Sequence, residues 1–371
     1  MEPLSFIHSS DWQIGMRLKS RLDERQRVRY ADARIAVIDA IGRLAAEQKA
    51  SFVLVAGDVY EHPHIAADEL APSLEAMGRI GVPVYLLPGN HDPLNHHGIW
   101  TSAAFADHRP DNVTVLDGTP IDREDCQIIS APWRAKNPGT DPVAAALADL
   151  APIDKPRILV GHGMLDSIDP DSHSLDSVHL APLLEAVKAD LLNYVALGDR
   201  HIAAGEDEIG DDTGRIWYSG TPETTSWREK TRGTALSVHL TDRAQVTTHT
   251  VGRWLHLELE RELTGAEDVT ALDERLGSQD SKSTTIARVK LSGGLGAEQD
   301  ARLSSILHKH ANSYAALLRP EKYDKLVLIP GDEGHFGLSG FAAEALDELR
   351  ESSDPAARDA IRLLYRLSER N

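Results

Sequence analysis

Five short segments, each directly after an apolar run, carry carboxylate, amide or imidazole side chains: Ser10-Asp11-Trp12-Gln13, Gly57-Asp58, Gly89-Asn90-His91-Asp92, Gly161-His162 and Gly198-Asp199-Arg200-His201. The runs before them, Leu4 to His8, Phe52 to Ala56, Val82 to Leu87, Ile158 to Val160 and Tyr194 to Leu197, read as strands. In an open α/β sheet the carboxyl ends of parallel strands border one crevice, so side chains far apart in sequence converge there. That geometry is what a metal cluster needs.

It also requires helices between the strands. The three- and four-residue spacing of Val28, Ala31, Ile35, Ile38, Ile41 and Leu44 predicts a helix over Asp23 to Lys49. Ala66 to Arg79 and Leu180 to Lys188 read as further helices. After Gly198 the pattern turns to short strands, at Arg215 to Tyr218, Thr234 to Leu240 and Gln245 to Val251, giving a mixed sheet system. Residues 1–253 are thus expected to form one domain.

A second, smaller α+β unit is expected over 254–330. Its helices are Thr264 to Leu276 and Ala297 to His310; its strands are Thr284 to Leu291 and Lys325 to Ile329, with Ser292-Gly293-Gly294 as a turn. It holds no metal-spaced cluster, and its size suits a substrate-positioning cap. Residues 331–371 read as a helical tail: a Gly-rich stretch to Gly340, then helices at Phe341 to Arg350 and Pro355 to Leu367. Ile361, Leu364 and Leu367 share a face expected to pack on their own domain.

Composition narrows the class. With 371 residues, 41% hydrophobic and 26% charged, the chain is an ordinary globular one. No apolar run approaches the length of a membrane span, and Met1 to Phe6 has no signal-peptide pattern. A lone cysteine, Cys126, forms no internal disulfide, which fits a cytoplasmic location. The net charge of -19 argues against non-specific adhesion to nucleic acid or an anionic membrane, yet a local basic groove with bound cations remains compatible with it. Glu206, Asp207, Glu208, Asp211 and Asp212 read as a solvated hairpin tip.

The chemistry follows from residue type. Asp58 has two oxygens and can bridge two divalent cations. Asp11 offers a hard anionic oxygen, Gln13 and Asn90 neutral amide oxygens, and His162 an imidazole. His91 is free to donate to a phosphate oxygen, with Asp92 expected to orient it through the other ring nitrogen. Asp199 and His201 flank Arg200, so in an extended segment both point to one side and Arg200 to the other. His62, His64, His96 and His97 follow two of the segments in loops and read as surface residues.

The order of these segments resembles the calcineurin-like metallophosphoesterases. Within that superfamily, Phe6 to Trp12, Gly57 to Tyr60, Pro88 to Asp92 and Tyr218 to Glu223 are most similar to the SbcD and meiotic-recombination DNA repair nucleases. The resemblance covers residues 4 to 251 well. It implies a four-layer α/β/β/α sandwich with a capping domain and two divalent cations, most often manganese, with magnesium or another transition metal as alternatives. One ion would take Asp11, Gln13, Asp58 and His201; the other would take Asp58, Asn90, His162 and Asp199. His91 and Asp92 would be the catalytic pair as a metal-activated water attacks phosphorus. The family usually has histidine where this chain has Gln13 and Asp199.

The resemblance also implies DNA as substrate, an SbcC-like coiled-coil ATPase as partner and a homodimer. Two other readings compete with a DNA-end nuclease: hydrolysis of a small phosphoester or phosphoprotein, and a non-catalytic DNA-end-binding scaffold whose site decayed through Gln13 and Asp199.

Overall fold

The computed structural model describes residues 3–148, 150–169, 176–328, 340–352, 354, 356–357 and 360–361. The chain divides into two compact units, Met1–Leu255 and His256–Asn371. Residues 331–339, His173 and most of the expected helix Pro355 to Leu367 lie outside the described residues.

In the first unit the elements run β1 (Leu4–Ser9), α1 (Glu24–Glu47), β2 (Val53–Val55), α2 (Ala67–Gly78), β3 (Val84–Leu86), α3 (Ala103–His108) and β4 (Val113–Val115). There follow β5 (Ile121–Asp122), β6 (Gln127–Ser130), α4 (Ala144–Leu147), β7 (Arg157–His162), α5 (Leu180–Lys188) and β8 (Tyr194–Gly198). The unit closes with β9 (Ala204–Gly205), β10 (Ile216–Tyr218), β11 (Thr234–Leu240) and β12 (Ala244–Thr250).

These strands make two six-stranded sheets, ordered β12-β11-β1-β2-β3-β4 and β5-β6-β7-β8-β10-β9. β1 to β4 are mutually parallel, as are β6, β7, β8 and β10, while β11 and β12 add antiparallel strands at one edge. The β period of two then sorts the side chains into layers. Phe6, Phe52, Leu54 and Ala56 of the first sheet pack on Ile128, Ile158, Val160, Tyr194 and Ala196 of the second. Ile7, Val53, Val55, Val84 and Leu86 face the opposite way, onto Ile38, Ile41 and Leu44 of α1 and Leu70, Leu74 and Met77 of α2. On the far side of the second sheet, Leu159, Val195 and Leu197 meet Leu183 and Val187 of α5. The result is an α/β/β/α sandwich. Its middle layer is stitched by Phe6, whose ring stacks on Phe52 at 5.1 Å and meets Tyr194 edge-on at 5.3 Å. Truncating Phe6 to alanine would cost about 3–5 kcal/mol.

α1 starts at a capping box, in which the Asp23 side chain accepts from the Gln26 N–H and Gln26 reciprocates. Its buried stripe is Tyr30, Ala33, Arg34, Val37, Ile38, Ile41 and Leu44, so Val28, expected inward, is half exposed. The inward face includes a charge that polarity patterning assigns to solvent. Arg34 is fully buried and donates to the carbonyls of Trp12 (2.6 Å) and Glu223 (3.1 Å) and to the Tyr30 hydroxyl (2.6 Å). Burying a guanidinium is costly unless its donors are paired, and here both terminal nitrogens are, while Nε has no partner.

The acidic stretch after β9 is only partly a solvated tip. Glu206 to Glu208 form an exposed single turn, whereas Asp211 is buried and accepts from the N–H groups of Thr213, Arg215 and Ile216. Asp211 builds the turn into β10, because a short carboxylate can stand in for several backbone acceptors.

The second unit holds β13 (Leu255–Leu263), α6 (Ala266–Gly277), β14 (Thr285–Leu295), α7 (Ala297–Ala311), β15 (Ala316–Leu318), β16 (Lys325–Leu328) and α8 (Phe341–Glu351). A four-stranded sheet forms around β14, backed by Val269, Leu272 and Leu276 of α6 and Leu303 and Ile306 of α7. Ser292-Gly293-Gly294 is not a turn: β14 runs through it, pairing with Lys325 to Leu328 of β16. Gly293 permits this at φ +99°, where a Cβ would fall 2.3 Å from the Leu263 carbonyl oxygen. Among the described residues no helix is long and apolar enough to cross a membrane.

Candidate metal centre

The loops after β1 and β2 are bonded to each other along their length. Asp11 N–H donates to Gly57 O (3.0 Å), Gln13 N–H to Asp58 O (2.9 Å) and Ile14 N–H to Val59 O (2.9 Å). To follow this path Asp11, Gln13 and Asp58 adopt φ values of +54°, +43° and +52°, and Asp199 joins them at +92°. Left-handed conformations are costly for these residue types and persist where surrounding structure over-determines them.

The packing around these loops leaves no room for a β-carbon at Gly57. At φ +90°, a Cβ there would lie 2.1 Å from His162 Nδ1. Gly89 has the same role towards Asp58, whose Oδ1 would be 2.2 Å from a Cβ. The glycines that precede Asp58 and Asn90 thus let the strand ends close on one another.

The side chains that converge are Asp11, Asp58 and His162, all buried, with one ligand atom of each within 4.8 Å of the others. His162 Nδ1–H donates to Ala56 O at 2.8 Å, which fixes the ring orientation and turns Nε2 to the carboxylate cluster. Around that Nε2 stand Asn90 Oδ1 at 3.2 Å, Asp58 Oδ1 at 3.4 Å and Asp199 Oδ1 at 3.8 Å. His201 is arranged likewise: Nδ1 meets Thr225 Oγ1 at 2.8 Å, and Nε2 lies 3.8 Å from Asp11 Oδ1 and 3.2 Å from the Gln13 amide. Two imidazoles therefore present their Nε2 atoms from opposite flanks of a carboxylate cluster.

Asp11 is held from several sides. Ser10 Oγ donates to its carboxylate at 2.6 Å, the Asp199 N–H reaches both oxygens at 3.1 Å, and Thr221 Oγ1 donates to its carbonyl at 2.8 Å. Asp199 enters through the bend at its own positive φ and not through strand alternation, which corrects the expected extended segment.

Asp92 does not orient His91. Its buried carboxylate accepts from Gly89 N–H (2.7 Å) and Tyr60 N–H (2.9 Å), tying the third loop to the second. His91 is oriented instead by Glu61, whose carbonyl accepts its Nδ1–H at 2.9 Å, and its own N–H donates to Asp58 Oδ1 at 3.0 Å. A carboxylate beside histidine in sequence points elsewhere because adjacent side chains in a turn diverge. His62, His64, His96 and His97 are exposed.

The electrostatics are those of crowded like charges. Burial pushes the Asp11 carboxyl up, and burial together with Asp58 drives Asp92 far above the carboxylate range. Burial also raises Asp199 to about 6, although His162 opposes it. Burial disfavours a charged His162, but Asp58, Asp11 and Asp199 outweigh that and hold it well above the usual imidazole range. The set fits divalent cations. Carboxylates and amide oxygens suit hard ions, two oriented imidazoles suit transition ions, and Gln13 Oε1 is buried with no hydrogen-bond partner. Such an orphaned oxygen calls for a cation or water.

Sequence reasoning missed the residues behind His201. Thr225 Oγ1 lies 3.2 Å from Glu229 Oε1, and Glu229 also accepts from the N–H groups of Thr225 (2.9 Å) and Ser226 (2.6 Å). Burial raises the Glu229 carboxyl, but His201 and these N–H groups outweigh it and bring it down to about 2. Glu229 carries no spacing signal; only the tertiary fold brings it to His201.

Residues 4–239, more than half of the chain, match the family described as calcineurin-like phosphoesterase. Among solved structures, TT1561 of Thermus thermophilus is similar at 14% identity, with 67% of this chain and 99% of that one covered and a TM-score of 0.42. A dimetal phosphatase from Danio rerio is similar at 9% identity, 66% and 98% coverage and a TM-score of 0.40. YfcE, a phosphoesterase from E. coli, is similar at 11% identity, 67% and 100% coverage and a TM-score of 0.29. No curated protein matches the chain.

Proposed function

The chain belongs to the calcineurin-like phosphoesterase family, and from that premise we propose that it is a metal-dependent phosphodiesterase that cuts DNA at its ends. The observation that carries the metal-dependent hydrolysis is the buried Asp11, Asp58 and His162 group with the partnerless Gln13 oxygen beside it. The likeness of Phe6 to Trp12, Gly57 to Tyr60, Pro88 to Asp92 and Tyr218 to Glu223 to SbcD-type nucleases supports DNA as the substrate. The same likeness supports manganese, an SbcC-like ATPase partner and a homodimer, and the lone Cys126 supports a cytoplasmic setting.

Two cations would be held by Asp11, Gln13, Asp58 and His201 and by Asp58, Asn90, His162 and Asp199. When bound they supply a Lewis acid for the phosphoryl oxygens and lower the pKa of coordinated water. The protein's own part is positional. By donating Nδ1–H to Ala56 O and to Thr225 Oγ1, His162 and His201 aim their Nε2 atoms at the carboxylate cluster, where a cation would replace the Nε2 proton. Hydrolysis places a water oxygen on phosphorus and a proton on the departing oxygen. With Nδ1–H held by the Glu61 carbonyl, His91 keeps Nε2 for the substrate and is the residue assigned to that phosphate.

The test is purified protein with manganese and end-labelled single- and double-stranded DNA. Cleavage is expected, with turnover in His91→Ala about 10²–10⁴-fold lower and metal content unchanged. Absence of cleavage, or full activity in that variant, would overturn the reading. The net charge of -19 favours the second reading, hydrolysis of a small phosphoester. Competition between DNA and a small phosphodiester separates the two, because binding of DNA alone is steeply salt-dependent.

A further inference from the structure

Beside the metal centre lies a cavity of about 220 Å³ that the chemistry above leaves without a role. Its wall includes His201 and Thr221, both also part of the metal centre: His201 directs Nε2 towards Asp11, and Thr221 donates to the Asp11 carbonyl. The segment Lys230, Thr231, Arg232 and Gly233 lines it as well. In a chain with a net charge of -19, this segment places two cationic side chains next to a carboxylate-rich site.

The segment leaves its donors open, with Lys230 and Thr231 exposed. Among the described residues, the N–H groups of Lys230, Thr231, Arg232 and Gly233 donate to no acceptor, and neither Lys230 nor Arg232 has an ion pair. Arg232 is nonetheless positioned, since one guanidinium nitrogen donates to Arg253 O at 2.7 Å and the others remain for a ligand. Glu229 also borders the cavity, but its carboxylate is taken up by Thr225 and Ser226. A lysine and an arginine beside amides that have no internal acceptor supply the charged and neutral donors a phosphate takes.

We propose that this cavity is a second phosphate subsite, taking a phosphate next along the chain from the one being hydrolysed. It rests on the phosphodiesterase reading and deepens it: the preferred substrate carries at least two phosphates in sequence, as an oligonucleotide does and an isolated phosphoester does not. Lys230 and Arg232 are then specificity residues. They contribute to binding of the extended substrate and not to the bond being broken.

The test compares two thymidine dinucleotides whose internal linkage is a phosphorothioate, one with a 5′-phosphate and one without, titrated calorimetrically into the full chain with manganese. The phosphorylated ligand is expected to bind about tenfold or more tightly, the size of one charge-assisted contact. Lys230→Gln combined with Arg232→Gln should remove that difference, and Lys230→Arg alone should keep most of it. Equal binding of the two ligands by the unaltered protein overturns the proposal, as does a difference that survives in the correctly folded double variant, or no binding of either ligand. Hydrolysis of bis(p-nitrophenyl) phosphate is measured in parallel. Its absence counts against the phosphodiesterase reading and leaves the binding comparison intact.

Discussion

Thr225 Oγ1 accepts the His201 Nδ1–H at 2.8 Å because its own proton is given to Glu229 at 3.2 Å. The direction of both bonds follows: Glu229 is ionised and can only accept, so the hydroxyl faces it as donor and faces the ring as acceptor. His201 is thereby held in one tautomer. Thr225→Val breaks this relay while keeping side-chain shape. Metal titration should show one of two sites weakened about 10–100-fold, the other unchanged. Equal weakening of both, or of neither, would show that the relay does not set His201.

Asp199 raises a conflict between stability and metal binding. Its carboxyl has a folded value of about 6 against an ordinary 3.8. Between these values the folded state binds more protons than the unfolded state, so stability falls as pH rises through the window and the loss is complete above pH 6. Asp199→Asn should therefore stabilise the metal-free protein at neutral pH by roughly 1–3 kcal/mol. In the same variant the rise in Tm on adding manganese should shrink. Denaturant melts in chelator measure the first effect and thermal melts with and without manganese the second, and a metal-free variant no more stable than the parent would contradict the electrostatic account.

His8 has the opposite dependence. Burial brings its pKa from 6.5 down to about 3, against a smaller opposing effect of the Leu197 carbonyl, and its ring sits between that oxygen and the Tyr194 hydroxyl. The unfolded state takes up the proton first on acidification, so stability is lost as pH falls from 6.5 to 3, by roughly 5 kcal/mol over the whole window. In His8→Gln this contribution disappears. Urea melts from pH 7 to pH 4.5 should give a shallower slope for the variant, and parallel slopes would rule the assignment out.

Gly57→Ala probes the closure of the strand ends. The added methyl carbon would meet His162 Nδ1 at 2.1 Å and sit on a backbone at φ +90°. A loss of roughly 2–4 kcal/mol is expected from the clash and the strain together. Chemical denaturation gives the size, and a change below about 0.5 kcal/mol, the size of a neutral surface substitution, would mean the loop shifts freely.

The strand-end motifs were legible because the signal is local. An apolar run stopped by Gly-Asp or Gly-Asn-His-Asp announces both its strand and its loop, and β1, β7 and β8 lie where the runs predict. What escaped depends on partners distant in sequence. Arg34 looks like a solvent residue until Trp12 and Glu223 arrive to accept its protons. Asp92 looks like a partner for His91 until Tyr60 and Gly89 claim its oxygens. Ser292 to Gly294 reads as a turn by composition, yet pairing with β16 keeps it extended. The bend at Asp199 comes from the bond its N–H makes to Asp11.

The bonds that zip the loop after β1 to the loop after β2 bear on how a cation would arrive. Asp11, Gln13 and Asp58 sit on one welded strip of backbone, so no ligand has to be recruited from a mobile segment. An ion entering such a strip meets a template already set, and its affinity reflects desolvation and charge more than chain ordering. Chelation should then strip the metal without melting the strip, leaving a protein that reloads in one step.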